Sequence, residues 1–298
     1  MKIVLVTGAS GYLGLHLVQE LLKQEDTKII AILGRSGNKA NTLPVSPNLR
    51  IYPCSALSTT DFGHVDTLIH TAFSRGDNLP GLTRSIELTE QIIEMVNSLD
   101  IDSIINISSQ GIYKGQKPGE KVDESGFVEP NTAYGLTKWA VENMLKVGCK
   151  KQFTNIRLAS LSANARFLNF FVNSVISHMD IKITAPQQYA SIMDVNDAIS
   201  GILSVEQLPI VQRKEIYNLG SENQYSILDY AETANLLGRE YGYSPVNIKV
   251  EDNGNSFAIC MDCTLLKDQT GWVPIVSKRM MLSKMYEAHK QLAQQKSI

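Results

Sequence analysis

Short apolar runs and segments of helical period alternate through the first half of the chain. "KIVLVT" (2–7), "KIIAIL" (28–33), "TLIHTA" (67–72), "SIINIS" (103–108) and "FTNIRL" (153–158) are nearly continuous in apolar and β-branched residues. That pattern belongs to strands covered on both faces, as in a parallel sheet. Between them, "YLGLHLVQELLKQ", "SIELTEQIIEMVNSL" and "AYGLTKWAVENMLKVG" repeat apolar residues three and four apart, the stripe of an amphipathic helix. Strand–helix–strand order predicts an α/β fold with a Rossmann-type doubly wound parallel sheet. The second half is less regular, with helical patterns in "ARFLNFFVNSVISH", "SILDYAETANLLGREYG" and the tail from about Ser277 to Gln294. No repeat or low-complexity tract interrupts it.

Composition leaves this picture in place and removes others. The 298 residues are 43% apolar and 19% charged, the balance of a globular chain with ample core. Net charge is −2 with no long basic run, so neither nucleic acid nor an anionic membrane is an expected partner. No apolar run reaches the ~20 residues that span a bilayer. Met1-Lys2 leads at once into "IVLVTGASG", which is too short for a signal peptide, and a cytoplasmic protein is expected. Cys260 and Cys263 have C-x-x-C spacing, but no second pair or nearby histidine completes a zinc set. No metal is expected, and the four cysteines read as buried or edge-strand residues.

The turn after the first strand carries the first chemistry. In "VLVTGASGYLGLHL", Gly8, Gly11 and Gly14 allow a sharp turn, close backbone approach to a pyrophosphate and tight helix–strand packing. The helix that follows offers unpaired N–H groups and the positive end of its dipole. A dinucleotide-binding domain over 1–160 follows, with a return near 192–220, and a smaller C-terminal α/β substrate lobe over 161–298. The lobe would cap the strand ends, where open parallel sheets bind ligands. At the end of the second strand stand Gly34, Arg35 and Ser36, with no carboxylate to bond a ribose diol. An arginine fork complements a 2′-phosphate, so NADP(H) is favoured over NAD(H).

"TAYGLTKWAVENM" places Tyr134 and Lys138 one helical turn apart on one face. A phenol has a pKa of about 10, and a neighbouring ammonium favours the phenolate, bringing the group toward acid/base use. Ser108 and Ser109, at the end of the preceding strand, offer a hydroxyl to polarise a carbonyl.

In chain order, "TGASGYLG", "LIHTAF", "NISSQGIYKG", "VDESGFVEPNTAYGLTK", "SIMDVNDAISGIL", "IYNLGS" and "GWVP" resemble the extended short-chain dehydrogenase/reductase family, its NAD(P)-dependent sugar epimerase/dehydratase group. The resemblance implies Tyr134 as acid/base, Ser109 on the substrate oxygen and Lys138 on the nicotinamide ribose. Ser109 rather than Ser108 lies four before Tyr113, where the family places its catalytic Ser or Thr. The cofactor would be lined by Gly8, Ser10, Gly11, Tyr12, Leu13, Gly14, Arg35, Ser36, Thr71, Ala72, Phe73, Tyr134 and Lys138. A homodimer through the helices at 86–98 and 133–147 is a family expectation.

Departures from the family pattern narrow the reaction. Sugar 4,6-dehydratases carry Asp-Glu directly after the catalytic hydroxyl residue, and enzymes epimerising at C3 and C5 carry a cysteine two before the tyrosine of this segment. This chain has Gln110 and Gly111 there, which leaves hydride transfer: 4-keto reduction, or 4-epimerisation by oxidation and re-reduction. Ser160 stands where nucleotide-sugar enzymes often have Asn. The arginine that usually grips a substrate diphosphate is missing; Tyr189 and Ala190 occupy that segment, with Arg166 a possible substitute or a surface arginine. A nucleotide sugar remains the family default; a non-sugar carbonyl is the alternative substrate, and a non-catalytic dinucleotide sensor the alternative class. His70 reads as a satisfied strand histidine, Asp194 and Asp197 as capping and structural carboxylates, Glu124 as a loop residue of little catalytic weight, and Trp272 as packing for the small lobe.

Overall fold

The computed structural model describes residues 1–34, 42–74, 78–252 and 258–295. Arg35 and Ser36 lie outside the described residues. Seven strands form the central sheet: β1 (Lys2–Thr7), β2 (Thr27–Ile32), β3 (Leu49–Tyr52), β4 (Thr67–His70), β5 (Ser103–Ser109), β6 (Gln152–Leu158) and, much later, β11 (Ile216–Leu219). Their order is β11-β6-β5-β4-β1-β2-β3, and each neighbouring pair is parallel.

Helices cover both faces, which is why the strands lack polar alternation. On one face pack α1 (Tyr12–Leu21) and α5 (Val195–Glu206), on the other α2 (Leu79–Ser98) and α3 (Ala133–Gly148). The first layer is cored by Leu17, Val18, Ile69, Ile199 and Ile202, the second by Leu5, Leu68, Ile92, Val96 and Leu145. Both α5 and β11 lie beyond residue 192, so the chain leaves the Rossmann layers after β6 and comes back to finish them.

The excursion and the tail make a second core. β7 (Ser160–Leu161), α4 (Arg166–Ile176), β8 (Ile181–Ile183), β9 (Tyr189–Ala190) and β10 (Ile192–Met193) precede α5; β12 (Tyr225–Ser226), α6 (Ile227–Glu240), β13 (Ile248–Val250), α7 (Thr264–Thr270) and α8 (Lys278–Gln295) follow β11. Its three two-stranded sheets pair β10 with β7, β12 with β9 and β13 with β8. Leu168, Phe171, Val175, Tyr230, Leu237, Leu282 and Tyr286 interlock where α4, α6 and α8 meet. α6 opens with a reciprocal Ser226–Asp229 capping box. Asp194 caps α5 through Asn196 N–H, and Asp197 accepts from Ile275 and Val276 N–H at 3.1 and 2.9 Å, so both carboxylates hold backbone.

Trp272 does not pack the small lobe. Its ring lies in the α1/α5 core against Gly201, and Nε1 donates to Ser200 Oγ at 2.9 Å. The tail crosses back over the cofactor-side layer before α8, which local sequence has no means of showing.

The strand order reverses between β1 and β4, and the chain leaves these two strands in opposite directions. A crevice therefore opens at their carboxyl ends. Gly8 begins it, with φ +70°, and a Cβ there would stand 2.7 Å from both Ala72 N and Cα. No L side chain fits that backbone or that gap. Gly8→Ala should therefore cost about 1–3 kcal/mol in unfolding free energy and abolish dinucleotide binding; thermal melts and a cofactor fluorescence titration check both.

Candidate active site

Two cavities occupy the crevice and share Gly8, Gly11, Thr71 and Phe73. The inner one, about 550 Å³, is lined by Tyr12, Leu13, Gly14, Ile107, Ser108, Ser109, Tyr134, Lys138 and the Leu158–Leu161 segment. The outer one, about 530 Å³, runs from Ser10, Gly34 and Ala72 to Cys54, Leu57 and the start of α2. All sequence-predicted site residues within the described set thus line one continuous cleft. Its floor is tied down by two bonds: Thr71 Oγ1 donates to Thr7 O at 2.7 Å, and Gly34 N–H to Ser10 Oγ at 3.1 Å. The first turn of α1 carries no acidic side chain, so its N–H groups face an anion without competition. The glycine cradle, this helix end and the paired cavities fit a dinucleotide.

Ser109 ends β5 and caps the short 3₁₀ turn Gln110–Ile112. Its Oγ accepts from Gly111 N–H at 3.1 Å, which leaves the hydroxyl proton to donate outward. Ser108, also on the cavity lining, is buried, and its hydroxyl donates to Glu142 Oε1. The Ser108 hydroxyl is thus committed to the interior, whereas that of Ser109 keeps its proton for another acceptor.

α3 brings Tyr134 to the same cavity. Thr132 caps it, accepting from Gly135 N–H at 3.0 Å. A Cβ on Gly135 would lie 2.3 Å from Gly111 O, so the helix start is pressed directly onto the turn after Ser109. Gly135 lets the two backbones meet, and this contact fixes the phenol relative to the serine. Lys138, 5% exposed, donates to Ile107 O at 2.7 Å, and its ammonium lies 3.7 Å over the Phe73 ring and 6.0 Å from that of Tyr134. Phe73 in turn meets Tyr134 edge to face at 5.4 Å. The ammonium is held by a carbonyl and aromatic faces, so its charge remains strong beside the phenol.

Behind Ser109 runs a buried polar network that sequence reading did not anticipate. Arg157 grips Glu142 with two bonds, Nη2 to Oε2 at 2.9 Å and Nε to Oε1 at 3.2 Å, at 5% and 6% side-chain exposure. Its Nη1 donates to Tyr113 Oη and to Glu124 O, and Tyr113 Oη donates to Asn218 Oδ1 at 2.7 Å. Burial pushes the Tyr113 phenol up to about 12, against the lowering effect of Arg157. Tyr113 is therefore a hydrogen-bonding post, and the phenols that line the inner cavity are those of Tyr12 and Tyr134. Glu124 Oε1 accepts from Asn218 N–H and stays in the scaffold. Two signals for this network were present in the sequence: an arginine inside an apolar strand, and a glutamate one helical turn past Lys138.

His70 is only half satisfied. Nδ1 bonds Thr7 Oγ1 at 2.7 Å, while Nε2 is buried without a partner among the described residues. Burial, and then the Lys138 charge, push its pKa down to about 3. Arg166 opens α4 on the surface, Ser160 lines the inner cavity and accepts from Gln110 Nε2 at 3.1 Å, and Tyr189 and Ala190 form β9. Cys260 and Cys263 are buried, and burial raises both thiols. No helix among the described residues is long and apolar enough to cross a membrane.

The sheet, its glycine-lined crevice and the Ser–Tyr–Lys cluster define a Rossmann-type dinucleotide-dependent oxidoreductase class. The model of the NAD dependent epimerase/dehydratase family matches residues 4–220, and the chain belongs to that family. A putative UDP-glucose 4-epimerase of Methanocaldococcus jannaschii is 24% identical over 91% of this chain and 93% of its own. A UDP-glucose 4-epimerase of Lactobacillus helveticus is 22% identical over 91% and 92%. Among solved structures, the UDP-glucuronic acid 4-epimerase of Bacillus cereus, in complex with UDP-glucuronic acid and NAD, superposes with TM-score 0.80 at 22% identity, covering 97% of this chain and 99% of that one. The UDP-glucose 4-epimerase of Thermotoga maritima also reaches 0.80 at 18% identity, covering 98% and 99%.

Two outcomes test the site's electrostatics. Arg157→Met leaves Glu142 buried and uncompensated and should cost about 3–5 kcal/mol in urea unfolding, while the double variant Glu142→Leu/Arg157→Met regains part of it. His70 binds a proton near pH 6.5 when unfolded and near 3 when folded. Its contribution is complete above pH 6.5 and is lost as pH falls toward 3, with about one proton's worth of slope. His70→Gln should flatten that acid limb in urea midpoints measured against pH.

Proposed function

We propose that the protein transfers hydride at the C4 position of a nucleotide-activated hexose, as a 4-epimerase or 4-keto reductase. The convergence of Ser109, Tyr134, Lys138 and Phe73 on the inner cavity carries this reading. A nicotinamide held against Phe73 and Lys138 in this cavity would supply the hydride chemistry. Ser109 donates its hydroxyl proton to the substrate oxygen and holds it. Tyr134 removes the proton from the alcohol oxygen on oxidation and returns it on reduction. Lys138 binds the nicotinamide ribose and, through its charge, stabilises the Tyr134 phenolate. Gln110 and Gly111, next to Ser109, offer neither the acid nor the thiol that dehydration or double epimerisation needs. Residues 1–160, with the return at 192–220, would hold the cofactor, and 161–298 the substrate.

NADP(H) is the proposed cofactor, supported by Arg35 and by the lack of a carboxylate at Gly34, although the Bacillus cereus neighbour carries NAD. The proposed assembly is a homodimer through α2 and α3, whose exposed Leu136 and Trp139 (54% and 40%) offer an apolar face. A second reading, reduction of a non-sugar carbonyl, has one observation in its favour: beyond Lys138, no charged side chain among the described residues lines the inner cavity.

Tyr134→Phe should lower kcat by at least about 10²-fold with dinucleotide affinity within twofold of wild type; near-normal turnover would remove Tyr134 from the chemistry. A panel of UDP-hexoses, 4-keto sugars and simple ketones, scored by NADPH absorbance and by sugar analysis for epimerisation, separates the two substrate readings.

A further inference from the structure

The outer cavity holds one cationic side chain that neither the glycine loop nor the end of β2 supplies. Arg84, on α2, lines it together with Ser85 and Leu88, in the cavity that Ser10 and Gly34 also line. We propose that the Arg84 guanidinium is a specificity-determining contact for the adenosine 2′-phosphate of NADP(H). The proposal rests on the NADP(H) reading above and assigns the contact to α2 rather than to the end of β2.

Three observations support it. First, Gly34 and Ser10 mark where the second strand delivers the ribose, and Arg84 shares their cavity. No acidic side chain among the described residues lines that cavity, so a dianion entering it meets one guanidinium and no carboxylate. Second, the backbone beneath Arg84 is fixed relative to the cofactor floor. Ser85 Oγ accepts from Ser74 N–H at 2.9 Å and donates to Gly81 O at 3.0 Å, which ties the start of α2 to the loop that carries Phe73. Third, Arg84 is uncommitted: among the described residues it has no hydrogen bond, carboxylate partner or aromatic ring contact. Surface arginines of this protein with a structural task do show partners, as Arg279 does with Glu240. A planar fork with five donors suits a phosphate dianion, whereas an ADP-ribose lacking that group offers it only hydroxyls.

The experiment compares NADPH and NADH binding to the intact protein by nicotinamide fluorescence, in wild type, Arg84→Gln and Arg35→Gln. Wild type should prefer NADPH, and Arg84→Gln should weaken NADPH on the order of 10–100-fold while leaving NADH within twofold. Competition by 2′,5′-ADP should fall with it, and competition by 5′-ADP should not. Retained NADH binding serves as the control for folding. If Arg84→Gln keeps the full preference while Arg35→Gln abolishes it, Arg84 has no part in recognition and the NADP(H) reading survives. An equal loss for both cofactors would make Arg84 an adenine-stacking residue and overturn the proposal. Equal affinities in wild type would overturn the cofactor reading itself, and Arg84's assignment with it.

Discussion

The close meeting of backbones at the carboxyl edge of the sheet is the constraint on which everything else depends. β1 and β4 diverge there, so a crevice must open, and Gly8 and Ala72 approach until no side chain fits between them. The same economy of space recurs across the crevice, where Gly135 rests on Gly111 and sets Tyr134 against the turn after Ser109. The geometry of the cleft in this protein is fixed by main chain pressed on main chain. Main chain varies less with rotamer choice than side-chain packing does, and hydride transfer needs that constancy.

Charge is arranged in two separate compartments behind this edge. Glu142 and Arg157 neutralise each other in the interior and take Ser108, Tyr113 and the Glu124 backbone into their network. Lys138, one turn before Glu142 on the same helix, instead rests on a carbonyl and two aromatic faces. Had Lys138 paired with Glu142, its influence on the Tyr134 phenol would be largely cancelled. Arg157 holds that carboxylate, so the ammonium charge stays directed at the cleft. Burial, reinforced by the Lys138 charge, keeps His70 neutral, so no second buried cation stands at the end of β4.

Much of the fold was legible because the central strands and helices are covered on both sides and so show uninterrupted periodicity. The five strands read from apolar runs and the helix at 133–148 agree with the structure to within one residue at each end, except that β4 stops at His70, two residues short of the run. β3 escaped notice because it is an edge strand, with Arg50 and Ile51 exposed, and lacks the buried pattern. Trp272 was assigned to the wrong core because an aromatic residue in a turn advertises burial without direction. Among residues lining the cleft, glycines and the Y-x-x-x-K pair carry local signatures, whereas Arg84 reaches it only through how elements cross.

By itself the sequence determined the parallel α/β architecture, the glycine turn and the identity of the phenol–ammonium pair, since each follows from residue spacing within one or two elements. Tertiary structure decided which carboxylate neutralises which cation, and that Trp272 packs into the α1/α5 core rather than the small lobe. Those outcomes depend on contacts between different elements, 15 positions apart for Glu142 and Arg157 and 72 for Trp272 and Ser200. Their energies come from burial and desolvation at the meeting point, and no short stretch of sequence records where that meeting takes place.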